Sequence, residues 1–450
     1  MGLRAAAVAV ALACAGFAVR APAQVNLPPI RLPQLPTQLA APIAQSDTSE
    51  LNPVPQDAQT GLRRANAQRL IRTHRQTLEA DPNGAPMLRS ELVALDLSEV
   101  ALARLMAEGF ALIQRQRLPG LDSELFVLRV PAALSTKRAW QLLRELEPQA
   151  SFDYDHLYAD SSAGAQTLPA DSDPQVMTAH EAGAAGMPAP LRAVRVGLID
   201  GGVQRMHAVF QSLATTLWGC NGASVPSAHG TEVASLLVGE SPPFHGAAPG
   251  AALYAADVYC GAATGGAIDV IAAALGWMSS QRVAVINISL VGPDNLVLKQ
   301  IVRQMIARGH LIVAAVGNDG PSAPPLYPAA YPDVIGVTAV DAQYHVLLEA
   351  EQGPQVSFAA PGADMAAATA PDGYVSVRGT SFAAPIVAGL LAARLSEPDR
   401  DAAQRAVASL AHEAMDLGAP GRDATFGWGL VGAGVQTVPA LVRARRPSSP

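Results

Sequence analysis

Between residues 88 and 160 the apolar positions switch repeatedly between the two-residue period of a strand and the longer period of a helix. Val93, Leu95 and Leu97 alternate as on a half-buried strand. Ser98 is placed to cap a helix that carries Leu102, Leu105 and Met106 on one face and stops at Gly109. Ala111 to Arg117 and Glu124 to Val130 form a strand pair around Pro119-Gly120, with Phe126, Leu128 and Val130 on one face. A second helix runs from Ser135 to Glu147, where Pro148 ends it, and Ser151 to Tyr158 is a last strand. The order β-α-β-β-α-β predicts a small split unit of the α+β class.

Further along, short apolar runs end in residues that carry chemistry. Arg195-Val-Gly-Leu-Ile-Asp200-Gly201-Gly202 reads as a central parallel strand with Asp200 at its C-terminal edge, where open α/β sheets bind ligands. In Ala228-His229-Gly230-Thr231-Glu232-Val233-Ala234 the histidine opens an amphipathic helix. The strand His310 to Val316 runs into Gly317-Asn318. In Gly379-Thr380-Ser381-Phe382-Ala383-Ala384-Pro385 a serine stands at the mouth of a buried helix, Ala383 to Leu395, with Pro385 in its tolerant first turn. Unpaired N–H groups and the helix dipole there suit an oxygen that must carry negative charge. Singly, each residue has an ordinary explanation: Asp200 as a turn residue, His229 as a helix start, Asn318 as a loop residue, Ser381 as a cap. Together they supply an orienting acid, a base and a nucleophile in the order Asp, His, Ser.

These segments resemble those of the subtilisin-like serine proteases, and the similarity runs from about Arg195 to Val431. It includes Gly246 to Ala255, Val285-Ile-Asn287-Ile-Ser289-Leu290, Ala314-Ala-Val-Gly317-Asn318, Phe358-Ala-Ala-Pro361-Gly362 and Phe426-Gly-Trp428-Gly429. An α/β-hydrolase, the other serine-nucleophile reading, fails on the order of the three residues. The resemblance implies an α/β fold, a doubly wound, mainly parallel sheet, preceded here by the small ferredoxin-like α+β unit. It implies an endopeptidase working through an acyl-enzyme, with Ser381 as nucleophile, His229 as base, Asp200 orienting the imidazole and Asn318 in the oxyanion hole. The opposing reading is a catalytically silent peptide-binding protein on the same scaffold. Peptide is expected as an added strand beside Ser289, Leu290, Val291 and Gly292, with Ala315 and Gly317 also lining the cleft. Val291 stands where the family usually has Gly, which predicts a narrowed pocket and small or medium residues before the scissile bond. No metal or cofactor is expected. Gly239 to Gly246 is too short for the family's tight calcium site, while a weaker calcium site stays open. The unit at 88–160 resembles the family's propeptides, which assist folding and then inhibit through a C-terminal tail laid in the cleft. A permanent accessory domain is the rival reading.

With 450 residues, half of them hydrophobic, the chain has room for more than one domain. A formal charge of -7 gives no reason to expect nucleic acid. Arg4, the apolar stretch Ala5 to Val19 and Ala21-Pro22-Ala23 read as an export signal over residues 1–23, with no other stretch able to span a bilayer. Cys14 raises a lipoprotein reading, but Ala11-Leu12-Ala13 is a poor attachment sequence. A secreted or periplasmic monomer follows, acting on peptides or proteins and inhibited by its own N-terminal region. Cys220 and Cys260 then remain, an even pair that suggests one disulfide, with two buried thiols as the other reading. Residues 24–87 read as a Pro/Gln-rich, largely disordered linker in which Arg63 to Leu78 forms a basic helical patch. Residues 161–190 hold the processing segment, 191–441 the catalytic domain and 442–450 a disordered tail.

Overall fold

The structure, a computed structural model, describes residues 56–160 and 194–439 except 224, 243 and 372, together with residue 442. The expected export signal, the processing segment and the tail beyond residue 442 lie outside the described residues.

Helix α1 (Gln56–Thr73) leads into β1 (Leu78–Ala80), β2 (Pro86–Leu95), α2 (Glu99–Ala107), β3 (Ala111–Leu118), β4 (Ser123–Arg129), α3 (Thr136–Leu146) and β5 (Ser151–Asp160). The sheet runs β5-β2-β4-β3 with every pairing antiparallel, and β1 pairs with β2. From β2 onward the elements follow the β-α-β-β-α-β order. Ser98 Oγ accepts from the Ala101 N–H at 3.1 Å and Ser135 Oγ from the Arg138 N–H at 3.3 Å, so both helices start at their capping serines. Leu92, Phe126, Leu128 and Phe152 on one sheet face pack with Leu105 and Leu143 from the two helices. Met106, expected on the buried face of α2, is 52% exposed, because it lies a further 100° around the helix from Leu105.

The folded N-terminal unit also begins earlier than residue 88. α1 and β1 lie in the stretch expected to be a largely disordered linker, and the basic helix stops at Thr73, leaving Leu78 in a strand. Few apolar residues fix this segment: Leu70, Ile71 and Leu88 pack with Leu78, Leu157 and Ala267. A helix held by two apolar residues shows no sustained period, which is why the pattern hid it.

The larger unit contains β6 (Arg195–Asp200), β7 (Thr215–Trp218), α4 (Ala228–Val238), β8 (Glu240–Ser241), β9 (Phe244–His245), β10 (Ala252–Asp257), β11 (Gly266–Ala267) and α5 (Ile268–Ser280). It continues with β12 (Val285–Ile288), β13 (Leu290–Val291), α6 (Leu296–Ala307), β14 (Leu311–Ala315), β15 (Ile335–Val340) and β16 (Val356–Pro361). The hairpin β17 (Met365–Ala368) and β18 (Tyr374–Val377) precedes α7 (Thr380–Ala392) and α8 (Arg400–Glu413). Its main sheet, β16-β15-β14-β12-β6-β10-β7, is parallel throughout. The chain fills one side of β6 with β7 and β10, then crosses to build the other side from β12, β14, β15 and β16. Such a switch opens a crevice at the carboxyl ends of the central strands.

Successive residues of these strands feed opposite faces. Leu198 and Val313 pack with Val233, Leu237 and Ile386 from α4 and α7. Ile199 and Ile312 pack with Ile271, Leu275 and Leu298 from α5 and α6. The free face of the N-terminal sheet, through Val93, Leu95, Leu125 and Val127, joins this second layer. β4 therefore carries a continuous apolar run, Leu125 to Leu128, as in strands covered on both sides. Two carboxylates finish the contact at helix N-termini. Asp153 Oδ2 accepts from the Leu296 N–H at 2.7 Å and Asp155 Oδ1 from the Asp269 N–H at 3.3 Å.

Cys220 and Cys260 form the disulfide, with Cα atoms 5.2 Å apart, joining the ends of β7 and β10. Closing a loop of 40 residues stabilises by about 4 kcal/mol in the chain-entropy account. Among the described residues no helix is long and apolar enough to cross a membrane.

Candidate active site

The crevice at the strand ends collects all four residues singled out by their motifs. Asp200 is the last residue of β6 and wholly buried. Its Oδ1 accepts from the Gly201 N–H at 2.7 Å and pairs with His229 Nδ1 at 2.8 Å. His229 sits in the first turn of α4, whose start is set by Ser227 Oγ accepting from the Gly230 N–H at 3.0 Å. With Nδ1 turned to the carboxylate, Nε2 is the nitrogen left over; it is buried and meets no hydrogen-bond partner among the described residues. The imidazole packs against Phe382, ring centroids 5.6 Å apart, which sets it beside the first turn of α7.

Ser381 lies in that turn, its Oγ also without a hydrogen-bond partner among the described residues. Its backbone is fixed from below: Asn287 Nδ2 donates to Ser289 Oγ at 2.9 Å, and Ser289 Oγ donates to Ser381 O at 2.9 Å. Asn318 follows β14, and its Oδ1 accepts from the Thr380 N–H at 3.1 Å. Thr380 Oγ1 in turn accepts from the Gly317 N–H at 3.3 Å. With Oδ1 occupied, the Asn318 amide nitrogen lies 3.2 Å from where a Cβ on Gly379 would sit, alongside the Ser381 turn.

Electrostatics complete the picture. Burial opposes a charged imidazole at His229, but the Asp200 carboxylate, with Asp160 and Glu232 adding to it, outweighs burial and holds the imidazolium up to about 9. Burial lifts the Asp200 carboxyl above its usual range, and His229 and the Gly201 N–H pull it back. An imidazole nitrogen not engaged by the carboxylate, an unpaired hydroxyl, a side-chain amide and a helix N-terminus at one rim can together carry out acyl transfer.

The edge expected to take peptide is already filled by the chain itself. β5 runs antiparallel between β11 and β13, with Tyr158 opposite Gly266, Leu157 opposite Ala267, Asp160 opposite Leu290 and Ala159 opposite Val291. Gly292 must lack a side chain here, since a Cβ would come within 2.7 Å of the Tyr158 ring. The Tyr158 hydroxyl donates to Pro293 O. Ala315 ends β14 and Gly317 lies next to Asn318, both at the same rim.

Four contributors escaped the sequence reading. β11 had a signal, since the pair Gly265-Gly266 before an apolar helix marks a close backbone approach. Asp160, Asp319 and Glu351 had none. Glu351 falls in an acidic stretch that reads as an exposed loop, yet it is wholly buried against Gly317. The compact group Cys220, Asp257 and Cys260 offers no metal ligand set, because its cysteines are bonded to each other.

The Subtilase family profile matches residues 192–429. Subtilisin DY of Bacillus licheniformis is 33% identical over 233 residues, 50% of this chain and 85% of that protein. The minor extracellular protease Epr of Bacillus subtilis (strain 168) is 29% identical over 266 residues, 57% of this chain and 40% of Epr. Fervidolysin from Fervidobacterium pennivorans, a keratinolytic enzyme related to subtilisin, covers 80% of this chain and 62% of its own with a TM-score of 0.63. At 18% identity that likeness concerns the fold alone. With a family profile matching more than half of its length, this chain belongs to the subtilase family and is a serine endopeptidase.

Proposed function

We propose that the chain is made as an exported precursor whose catalytic unit cuts peptide bonds through an acyl-enzyme, with Asp200, His229 and Ser381 as the triad and Asn318 in the oxyanion hole. One observation carries the reading: His229 gives Nδ1 to buried Asp200 and leaves Nε2 over, beside the turn that holds an unpaired Ser381 hydroxyl.

From that arrangement the steps follow. Nε2 takes the Ser381 proton as Oγ bonds to the scissile carbonyl carbon, and the C=O pair moves onto oxygen. Asn318 Nδ2 and the Ser381 N–H donate to that oxyanion, and each such donor contributes about 3 kcal/mol in the transition state. The imidazolium then protonates the leaving amine as the C–N bond breaks. Water, deprotonated by His229, attacks the acyl-enzyme and releases the acid.

In this reading β5 is the intramolecular inhibitor, seated where substrate would pair. Asp160 adds to the effect as one of the carboxylates, after Asp200, that favour the imidazolium at His229 and so lower the share of free base. Its departure after cleavage within residues 161–190 removes that charge. The released enzyme acts as a monomer on peptides or proteins, in the secreted or periplasmic space, with Ser289, Leu290, Val291, Gly292, Ala315 and Gly317 lining its cleft. None of these steps calls for a metal or cofactor, and a weaker calcium site elsewhere stays open.

A serine-directed fluorophosphonate probe tests this on the self-processed protein. The wild-type chain is expected to shorten, show a new N-terminus between 161 and 190, and take up label. Ser381→Ala is expected to stay full length, to resist label and to lose on the order of 10⁶ in kcat. Label that survives Ser381→Ala overturns the triad. A wild-type chain that neither shortens nor labels points to the silent binding protein.

A further inference from the structure

Beside Asn318 lies a pair of carboxylates that the mechanism does not use. Glu351 is wholly buried, and neither of its oxygens meets a hydrogen-bond partner among the described residues. Its N–H donates to Gly317 O at 3.1 Å, and its Oε1 lies 2.6 Å from where a Cβ on Gly317 would sit. The carboxylate therefore fills the bare face of the glycine that precedes the oxyanion-hole asparagine. Asp319, the residue after that asparagine, is the second acid. A buried carboxylate without a partner is costly, and it stays neutral until a cation arrives. Burial first and then Asp319 push the Glu351 carboxyl up to about 9, with Arg63 and the Leu326 backbone offsetting part of this. One cation already stands at this place: Arg63 of α1 is ion-paired to Asp319.

We propose that these two acids make the pocket at Gly317 select an arginine or lysine side chain immediately before the scissile bond, with Glu351 as its counter-ion. The proposal rests on the protease reading above. A residue whose carbonyl is held by Asn318 must set its side chain against the adjoining Gly317 backbone, and Glu351 lies behind that backbone. Arg63 comes from the N-terminal region to pair with Asp319, and its charge favours an ionised Glu351 as a substrate cation there would. Val291 fits the same choice. A β-branched wall excludes flat rings but admits an unbranched stem with its charge at the tip. The charge preference replaces the expectation of small or medium residues drawn from Val291 alone, and it concerns free substrates: residues 161–190 carry no Arg or Lys, and their cleavage relies on the high effective concentration of a tethered segment.

Peptidyl aminomethylcoumarins that differ only in the residue before the cut (Arg, Lys, Ala or Phe) test the idea on the self-processed enzyme. The Arg and Lys substrates are expected to exceed the Ala and Phe ones in kcat/KM by on the order of 100-fold. Glu351→Gln is expected to erase most of that ratio, since a neutral amide no longer neutralises the cation. In the wild type the Arg-to-Ala ratio is expected to rise with pH toward about 9 as Glu351 ionises. Dividing by the Ala rate cancels the titration of His229. Should Glu351→Gln fail to fold, butylguanidine, an unbranched stem with a guanidinium tip, serves instead, expected to compete with the Ala substrate on the wild-type enzyme. Equal hydrolysis of Ala and Arg substrates, or no competition by butylguanidine, overturns the pocket and leaves the protease reading intact. An enzyme that cuts none of the substrates and takes no fluorophosphonate overturns the protease reading itself.

Discussion

The N-terminal region grips the catalytic unit in two places, and the grips differ in kind. β5 enters as a strand, pairs on both edges through its backbone, buries Tyr158 to 1% exposure and places two carboxylates on helix N-termini. α1 lies on the surface, holds by Leu70 and Ile71, and reaches the cleft through one ion pair from Arg63. Main-chain pairing with apolar burial fixes register, because a one-residue slip would turn Tyr158 away from its pocket. A single partly exposed ion pair fixes little. The first grip is therefore expected to hold the inhibited state, and the second to tune it.

The sharpest way to break this contrast is Tyr158→Ala, made in a Ser381→Ala chain so that the N-terminal unit stays attached. Removing a fully buried aromatic side chain costs about 3–5 kcal/mol. Amides of β11 and β13 are expected to lose hydrogen-exchange protection by a corresponding factor, and the unit should undock before the catalytic core unfolds. Unchanged protection of those amides would show that Tyr158 is not the anchor.

A smaller effect comes from pH. Asp155 is wholly buried, and burial, then the charge of Asp269, and Glu91 beyond it, hold its carboxyl well above the usual range. Burial likewise raises Asp269 and Asp153, and it raises Glu91 against the pull of Arg129. A carboxyl with a raised folded-state value favours the docked state while protonated. That contribution is complete below the ordinary carboxylate range and is lost as pH climbs through the raised values. The docked Ser381→Ala chain should therefore unfold at lower urea at pH 8 than at pH 5, with the raised His229 and Glu351 groups adding to the slope in the same direction. Asp155→Asn, which keeps an oxygen for the Asp269 N–H, is expected to reduce that dependence. A slope of the same size in Asp155→Asn would place its origin elsewhere.

What the sequence revealed divides along the same line as the two grips. Ser98, Ser135, Gly109 and Pro148 mark boundaries by local chemistry, so the split α+β unit was legible element by element. Asp200, His229, Asn318 and Ser381 were legible because each sits where a strand or helix ends, and the sheet gathers those ends at one rim. α1 and Glu351 were not. The helix has too few apolar contacts to leave a period, and the glutamate is buried only because a distant loop returns across Gly317. Burial produced by long-range return leaves no mark on neighbouring residues. Met106 errs in the same way, since a nine-residue helix with three buried positions tolerates more than one choice of face.

The smallest expected effect belongs to Arg63. Its side chain is 31% exposed against 15% for Asp319, and pairs of this kind contribute about 0.2–1 kcal/mol. Arg63→Ala in the Ser381→Ala chain should shift the unfolding midpoint by no more than that, raise exchange in residues 61–73, and leave β11 and β13 protected. Raising salt in the wild type should reproduce the α1 effect, because an exposed charge pair is screened while backbone pairing is not. Loss of protection across β11 and β13 in Arg63→Ala would reverse the ranking of the two grips. It would make the ion pair beside Asn318 the contact on which docking of β5 depends.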